Sequence, residues 1–332
     1  MLKLVILIIY FAVLIGIGLY CRKHATDVNG FVLGGRSVGP WLTAFAYGTS
    51  YFSAVVFVGY AGQFGWKYGI AATWAGIGNA IIGSLLAWVV LGRRTRIMSQ
   101  HLDSATMPQY FGKRFGSNPL KIGASVIIFI FLIPYTASLY NGLSRLFGMA
   151  FNIDYSVCII IMATLTAIYV IAGGYMATAI NDFIQGIIML FGIIAVIAAV
   201  IHSKGGFMSA LQGLANVSDP AVSNTPGIFA SFFGPDPFNL LCVVILTSLG
   251  TWGLPQMVQK FYAIDNEASI QKGTVISTIF ALIVSGGCYF LGGFGRLFSD
   301  QIDVKANGFD SIIPTMLSNL SPALIALVVI LV

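Results

Sequence analysis

The sequence predicts an all-α, polytopic membrane protein, and three observations carry that prediction. Only 8% of the 332 residues are charged, whereas soluble domains carry about 25%. The mean hydropathy is +0.90, and 58% of the residues are hydrophobic. The apolar residues fall in runs that match the roughly 20 residues of a membrane-spanning helix. This small number of charged residues cannot cover a water-facing surface. A soluble enzyme is therefore excluded, and a lipid bilayer is the expected environment.

Eight apolar runs have the length of a membrane span. A ninth begins near Ser321 and is still apolar at Val332; as a helix it would rise about 18 Å, against a hydrocarbon core of about 30 Å. The sequence therefore predicts that the chain ends inside a span. A short surface helix is expected at Met208–Leu214. The eight predicted spans are 3–21, 41–66, 70–92, 122–148, 155–173, 178–202, 238–262 and 273–295.

The distribution of Lys and Arg predicts an N terminus outside the cytosol. In that orientation the cytosolic segments hold 11 of the 17 basic residues, and basic residues accumulate on the cytosolic side of membrane proteins. A multi-pass location in a prokaryotic-type plasma (inner) membrane follows, with Arg93–Arg96 interpreted as a topology anchor. The basic residues assigned to the cytosol are Arg22, Lys23, Arg36, Arg93, Arg94, Arg96, Lys113, Arg114, Lys121, Lys260 and Lys272.

Two predicted spans are interrupted by small and polar residues. The second contains Gly48–Ser53 followed by Gly59, Gly62 and Gly65, and the seventh contains Thr247–Gln256. Such residues leave backbone groups without helical partners, and in lipid these groups must meet a ligand, water or another helix. The two spans stand five apart, like the first helices of two inverted five-helix repeats, and such pairs mark a transporter's central site. Close helix packing through small residues is the alternative.

One carboxylate, that of Asp182, lies clearly within a predicted span. Acidic residues inside the membrane are costly and usually functional. Alternatively, Asp182 lies in the first turn of a helix that follows Gly173-Gly174, where the helix dipole stabilises a carboxylate. The residues alone leave both interpretations open.

The remaining chemistry argues against an enzyme and against nucleic acid. The net charge of +6 is explained by the cytosolic bias of basic residues, so no nucleic-acid partner is expected. The four cysteines form no CxxC or Cys/His cluster, which gives no indication of a metal or disulfide site. No Ser/His/Asp arrangement, HExxH motif or nucleotide-binding loop is present in the sequence. An ion gradient is therefore the expected energy source.

Three groups of motifs, spread over nearly the whole chain, carry a family signature. They are Gly34-Gly35-Arg36-Ser37 with Pro40-Trp41, Ser50-Tyr51-Phe52-Ser53-Ala54 and Phe57-Val58-Gly59; Tyr169-Val170-Ile171-Ala172-Gly173-Gly174 with Thr178, Asp182 and Gln185-Gly186; and Trp252-Gly253 with Gln256, Gln271-Lys272-Gly273, Asp310 and Ile313-Pro314. With these residues in this order, the sequence resembles the sodium/solute symporters, the family of sodium-coupled proline, pantothenate, sialic acid and sugar carriers.

The resemblance implies a leucine-transporter-type inverted repeat within a single transmembrane domain, 1–332. An extra N-terminal helix would occupy 1–22, the first five-helix repeat 40–202, and an incomplete second repeat 238–332. The resemblance also implies alternating access with Na+ as the coupling ion. It assigns sodium ligation to carbonyls of Thr49 and Phe52 and to hydroxyls of the helix that begins near Ser321, beyond Val332. Asp182 matches an acid that serves a second sodium site or the inward ion path in some members.

The sequence departs from the family at positions that recognise solutes. Gly76 and Ala281 replace the Glu and Lys of sugar carriers, and Tyr51 replaces an Asp of proline carriers. The expected function is sodium-coupled import of a small polar solute, with a carboxylate or zwitterion favoured. The alternative is a transport-inactive membrane sensor or structural subunit of the same fold. The candidate solute-binding residues are Ser50, Ser53, Val56, Ser248, Thr251, Trp252 and Gln256.

Overall fold

Helices account for nearly all regular structure in the chain. The structure, a computed structural model, describes residues 2–331 apart from the side chains of Leu2, Lys3, His24 and Leu331; Met1 and Val332 lie outside this description. The helices are α1 Leu2–Cys21, α2 Val28–Leu33, α3 Pro40–Tyr51, α4 Ala61–Tyr68, α5 Thr73–Gly78, α6 Arg93–His101, α7 Met107–Phe115, α8 Asn118–Phe151, α9 Tyr155–Ser203, α10 Phe207–Ala215, α11 Pro237–Leu249, α12 Pro255–Ala263, α13 Glu267–Gly292, α14 Val304–Asn307, α15 Ile312–Leu317 and α16 Pro322–Leu331.

Local sequence signals set where several of these helices start. Ser117 accepts a hydrogen bond from the Leu120 N–H at the start of α8, and Asn266 accepts one from Ser269 at the start of α13. These side chains satisfy N–H groups that a helix leaves without partners in its first turn. The predicted surface helix is confirmed as α10, and the ninth apolar run forms α16.

Helix α9 covers two predicted spans in one run of 49 residues. The turn between the spans is made by Gly174, whose φ of +56° and ψ of −150° are accessible to glycine and unfavourable for other residues. A side chain at this position would also press against the backbone of Phe31, 2.8 Å from an added Cβ. Regular helix resumes at once with Tyr175.

Both predicted helix breaks are present. Helix α3 ends at Tyr51, Phe52 leaves helical geometry at φ −101° and ψ +66°, and the chain resumes at Val55 in wide π-type turns that lead into α4. Helix α11 ends at Leu249, and α12 begins at Pro255, whose missing N–H is tolerated in a first turn. The sequence did not predict further π-type turns at Asn79–Leu86 and Trp88–Gly92, in the third span.

Long apolar helices make this a multi-pass membrane protein. Among the described residues, five continuous helical stretches are long and apolar enough to cross a bilayer, while the interrupted α11 is shorter. The number is smaller than the eight predicted spans because Val55–His101 and Tyr155–Ser203 each cover two of those spans and α11 is too short to be counted. Helix α13 lies against α3, α4 and α5 and closes the largest core cluster, which surrounds the two breaks.

Candidate functional site

A cavity of about 340 Å³ lies between the two breaks. Its walls mix hydroxyl, amide, aromatic and aliphatic groups, and no charged side chain is among them. A pocket of this size and character fits a small solute with a few directed polar contacts. The lining residues are Ser50, Tyr51, Ser53, Val55, Val56, Tyr60, Phe64, Asn79, Tyr135, Ser138, Leu246, Thr247, Gly250, Thr251, Leu254 and Tyr289.

Four of the seven predicted solute-binding residues line this cavity, namely Ser50, Ser53, Val56 and Thr251. The other three, Ser248, Trp252 and Gln256, lie behind its wall. Ser248 is fully buried, and its hydroxyl donates to the Asn79 amide oxygen over 3.1 Å. Both amide atoms of Gln256 are shielded from solvent without a hydrogen-bond partner, and this side chain faces the lining residue Tyr135.

Asn79 organises the second break, and the sequence reasoning missed it. Its amide oxygen accepts hydrogen bonds from Thr247 and Ser248, each 3.1 Å long, and its amide nitrogen donates to Ser285 over 3.4 Å. This buried amide therefore joins the third span to α11 and α13. The single amide side chain in the largely apolar run 70–92 was the available signal.

Aromatic donors satisfy backbone carbonyls near the breaks. The Trp252 indole N–H donates to the Ile82 carbonyl and the Tyr47 hydroxyl to the Gly83 carbonyl, each over 3.0 Å. Both carbonyls lie in the π-type turns at Asn79–Leu86. The Tyr51 hydroxyl donates to the Thr247 carbonyl over 2.9 Å, which joins the first break to the second. The Trp252 indole N–H thus has a backbone partner.

The first break also offers oxygen atoms to a cation. Among the described residues, no hydrogen bond reaches the carbonyl oxygens of Thr49 or Phe52. The Thr49 side chain lies beside the Asp182 carboxylate, so the structure brings two of the three predicted sodium ligands together. Backbone carbonyls and a carboxylate are oxygen ligands of the kind that hard cations prefer.

Asp182 is not in a first helical turn, so the helix-dipole interpretation was wrong. Helix resumes directly after Gly174, which places Asp182 two turns further along α9. Its carboxylate instead faces Lys260 on α12, with 3.6 Å between Oδ2 and Nζ. Lys260, which the charge distribution assigns to a cytosolic segment, is only 6% exposed, so it is packed inside the protein and does not lie at the surface. The sequence did not predict the pairing of Asp182 with Lys260, because the two residues lie far apart in the chain, on α9 and α12.

A second cavity of about 390 Å³, the inner cleft, holds this ion pair. Ser50 lines both the central cavity and the inner cleft, and therefore separates them. Among the inner cleft's lining residues, Asp182 and Lys260 are the charged ones. These residues are Phe31, Val32, Ser50, Val170, Gly174, Tyr175, Thr178, Asp182, Gln259 and Lys260.

Two arginines from the predicted cytosolic segments clamp the end of α12. Arg96, 5% exposed, donates to the carbonyls of Ile264 and Asp265 over 2.6 and 2.9 Å. Arg36 donates to the carbonyls of Tyr262 and Ser104 over 3.3 and 2.8 Å. Burial, followed by the charge of Arg96, lowers the pKa of the Arg36 guanidinium. Arg96 therefore has a structural role that the topology-anchor interpretation did not include.

Comparison with known proteins shows which family this chain belongs to. A model described as the sodium:solute symporter family matches residues 31–332. The chain belongs to this family. It is 29% identical over 299 residues to the osmoregulated proline transporter OpuE of Bacillus subtilis (strain 168), which covers 89% of this chain and 59% of OpuE. It is 30% identical over 311 residues to the sodium/proline symporter of Staphylococcus aureus (strain JH9), covering 91% of this chain and 57% of the relative.

This symporter-family chain therefore spans less than two thirds of the length of both relatives. Each relative carries the name of a transporter, not of an enzyme. The fold resembles that of a Na+-coupled sialic acid symporter in a substrate-bound, outward-open state, with a TM-score of 0.75 and 15% sequence identity. That alignment covers 100% of this chain and 70% of the other. The predicted all-α fold, with its family resemblance, is confirmed.

Proposed function

We propose that the protein is a sodium-coupled secondary symporter that imports a small polar solute by alternating access. The observation that carries the proposal is the uncharged, polar cavity between two broken helices, next to unpaired carbonyls and a carboxylate. Broken helices at the repeat interface bind solutes and coupling ions in secondary transporters. The two repeats would occupy 40–202 and 238–332, as the sequence predicts.

The lining supports a solute that is neutral overall. A solute with a net charge would be buried without a compensating charge. Burying even a neutral polar group without hydrogen-bond partners costs about 2–7 kcal/mol, and burying an unpaired charge costs more. A zwitterion is neutral overall, and its charged groups can meet half-helix ends, which carry partial charges; a small carboxylate would depend on a positive half-helix N-terminus for its compensation. Proline is the first solute to test, since both relatives bear its name. Tyr51 in place of an acid argues for testing other small carboxylates beside it.

Sodium would bind on the inner side of the first break, next to Thr49 and Asp182, with Phe52 at the break itself. The carbonyls of Thr49 and Phe52 and the Asp182 carboxylate would each supply an oxygen. The basic residues near Arg93 would then lie in the cytosol and the N terminus outside, in a plasma membrane. Solute and ion would share the first broken helix, which gives a direct route for coupling.

An uptake screen tests the proposal. Cells expressing the protein receive pooled labelled small carboxylates and amino acids, proline included, in sodium or potassium buffer. We expect saturable uptake of at least one solute in sodium alone. Replacing Ser53 by Phe fills the cavity and should abolish that uptake, whereas Ser203→Phe, far from the cavity, should leave it intact. Well-folded protein without sodium-dependent uptake of any pooled solute would contradict the proposal and favour the transport-inactive alternative.

A further inference from the structure

The inner cleft contains a positive charge that the proposed transport cycle does not use. The Lys260 side chain is 8% exposed, and its ammonium lies 3.6 Å from Asp182 Oδ2 and 5.0 Å from the centre of the Tyr175 ring. Charge-assisted hydrogen bonds between nitrogen and oxygen measure about 2.7–2.9 Å. The contact is therefore an ion pair without a close hydrogen bond.

Asp182 lies between this ammonium and the first break. The Thr49 side chain lies beside its carboxylate, and the unpaired Thr49 carbonyl belongs to the same turn of α3. A sodium ion at that carbonyl and Asp182 would place a second positive charge close to Lys260. Two like charges a few ångströms apart repel strongly where water is scarce. One carboxylate cannot serve both cations at full strength.

We propose that Lys260 is a tethered cation that competes with sodium for Asp182, an inference that rests on the proposed function. In the absence of sodium the ammonium neutralises the carboxylate, whose side chain is 22% exposed, and this avoids the cost of a largely buried unpaired charge. Sodium binding displaces the ammonium into the inner cleft, toward the cytosolic side. When sodium leaves, the ammonium returns and opposes its rebinding.

The location of Lys260 connects ion binding to the second broken helix. Lys260 lies on α12, the inner half of that helix, whereas Thr49 lies on α3, the inner half of the first. Displacement of the ammonium by sodium would remove the ionic contact between α12 and α9. Sodium at the first break would therefore change what holds α12 in place. A purely structural ion pair would have no such dependence on sodium.

The first test is a calorimetric sodium titration of the intact protein in detergent, with choline keeping ionic strength constant. Lys260→Met removes the competing charge and keeps an apolar stem, so the half-saturating sodium concentration should fall about tenfold or more. Lys260→Arg should stay near wild type. The control is Lys204→Met, because the Lys204 ammonium, like that of Lys260, lies near an aromatic ring, 3.9 Å from its centre, but its partner is the Leu297 carbonyl and it is far from Asp182.

A second measurement needs no mutation at position 260. Inverted vesicles are treated with an amine-acetylating reagent in sodium or choline, and acetylation is read by mass spectrometry. Sodium should increase acetylation of Lys260 and leave the exposed Lys272 unchanged as an internal standard. If Lys260→Met does not fold, this measurement alone tests whether Lys260 competes with sodium for Asp182.

The outcomes separate this inference from the proposed function. Saturable sodium binding by the wild type, with unchanged or weaker binding by Lys260→Met, would overturn the competition and leave the symporter proposal standing. Equal acetylation of Lys260 in sodium and choline would also overturn it. If the wild type shows no saturable sodium binding, both proposals fail.

Discussion

Single side chains in this protein donate hydrogen bonds to backbone carbonyls of irregular helices. The π-type turns at Asn79–Leu86 leave carbonyls that Tyr47 and Trp252 satisfy from neighbouring segments. A buried carbonyl without a donor costs about 1–3 kcal/mol. These bonds therefore decide whether the wide turns, and the cavity beside them, are stable.

Replacing Trp252 by Phe tests this at one position. The ring is retained in part, but the Ile82 carbonyl loses its donor, so the free energy of unfolding should fall by about 1–3 kcal/mol. The measurement is the thermal unfolding midpoint in detergent. Trp41→Phe is the control, since Trp41 is 58% exposed and its loss should have little effect. Equal midpoints for Trp252→Phe and wild type would contradict the role assigned to this bond.

Asp182 gives a second prediction at the residue scale. Asp182→Asn keeps the size of the side chain and removes the charge that attracts a cation at short range. The sodium concentration for half-maximal uptake should rise, with expression near wild type. The exposed Asp300→Asn serves as control. An unchanged sodium dependence would restrict Asp182 to a structural partnership with Lys260.

At the scale of helices, close backbone packing holds the core together. A Cβ atom at Gly65 on α4 would collide with the Gly292 carbonyl on α13, and one at Gly76 on α5 would lie 2.6 Å from the Gly286 Cα. Small residues let helix backbones approach this closely. Gly65 therefore belongs to a packing surface, while the break itself is made at Phe52-Ser53.

Gly65→Ala should lower the thermal unfolding midpoint of the protein, because the backbones of α4 and α13 would have to separate. The matched control is Gly123→Ala on α8, where an added Cβ meets no atom within 4 Å. Alanine there should leave the midpoint unchanged or raise it, since glycine in a helix is about 0.5–1 kcal/mol less favourable. A tolerated Gly65→Ala would contradict the tight contact between α4 and α13.

Element positions were largely predictable from sequence, and partnerships between elements were not. Hydropathy and mid-span Gly, Ser and Pro located both breaks, since these signals are local. The π-type turns in the third span have no comparable signature. The pairing of Asp182 with Lys260 joins residues on two separate helices. Four cavity residues were found because they sit at the breaks, whereas Asn79 lies in a span that looks ordinary.

On the scale of the whole molecule, contacts between polar segments agree with the predicted grouping of these segments on two sides, whichever side is the cytosol. Arg93 pairs with Glu267 over 2.6 Å at one end of the molecule. Arg296 pairs with Asp219 over 2.9 Å at the other, where burial lowers the pKa of its guanidinium and Asp219 opposes that shift. Both pairs join segments that the N-outside arrangement places on the same side.

Cysteine labelling tests the orientation. The native Cys21 is fully buried and is a poor reporter, so a Cys242→Ser background carries Arg94→Cys or Lys305→Cys, both exposed positions. A membrane-impermeant thiol reagent should label Arg94→Cys in inverted vesicles and Lys305→Cys in intact cells. The opposite pattern would reverse the orientation and move the ion pair to the outer half of the membrane.

The clamp at the end of α12 has a mechanical consequence. Arg36 holds the loop before α3 to α12, and Val38 pairs with Ile264 as an isolated β-bridge. Helices α3 and α12 are thus fastened to each other at the ends that lie away from the two breaks. If α3 and α12 rotate together, the backbone angles of the non-helical residues at the two breaks would have to change. The axis of this rotation would pass through the two breaks. A solute in the central cavity would lie on that axis, where rotation moves the groups that bind it least.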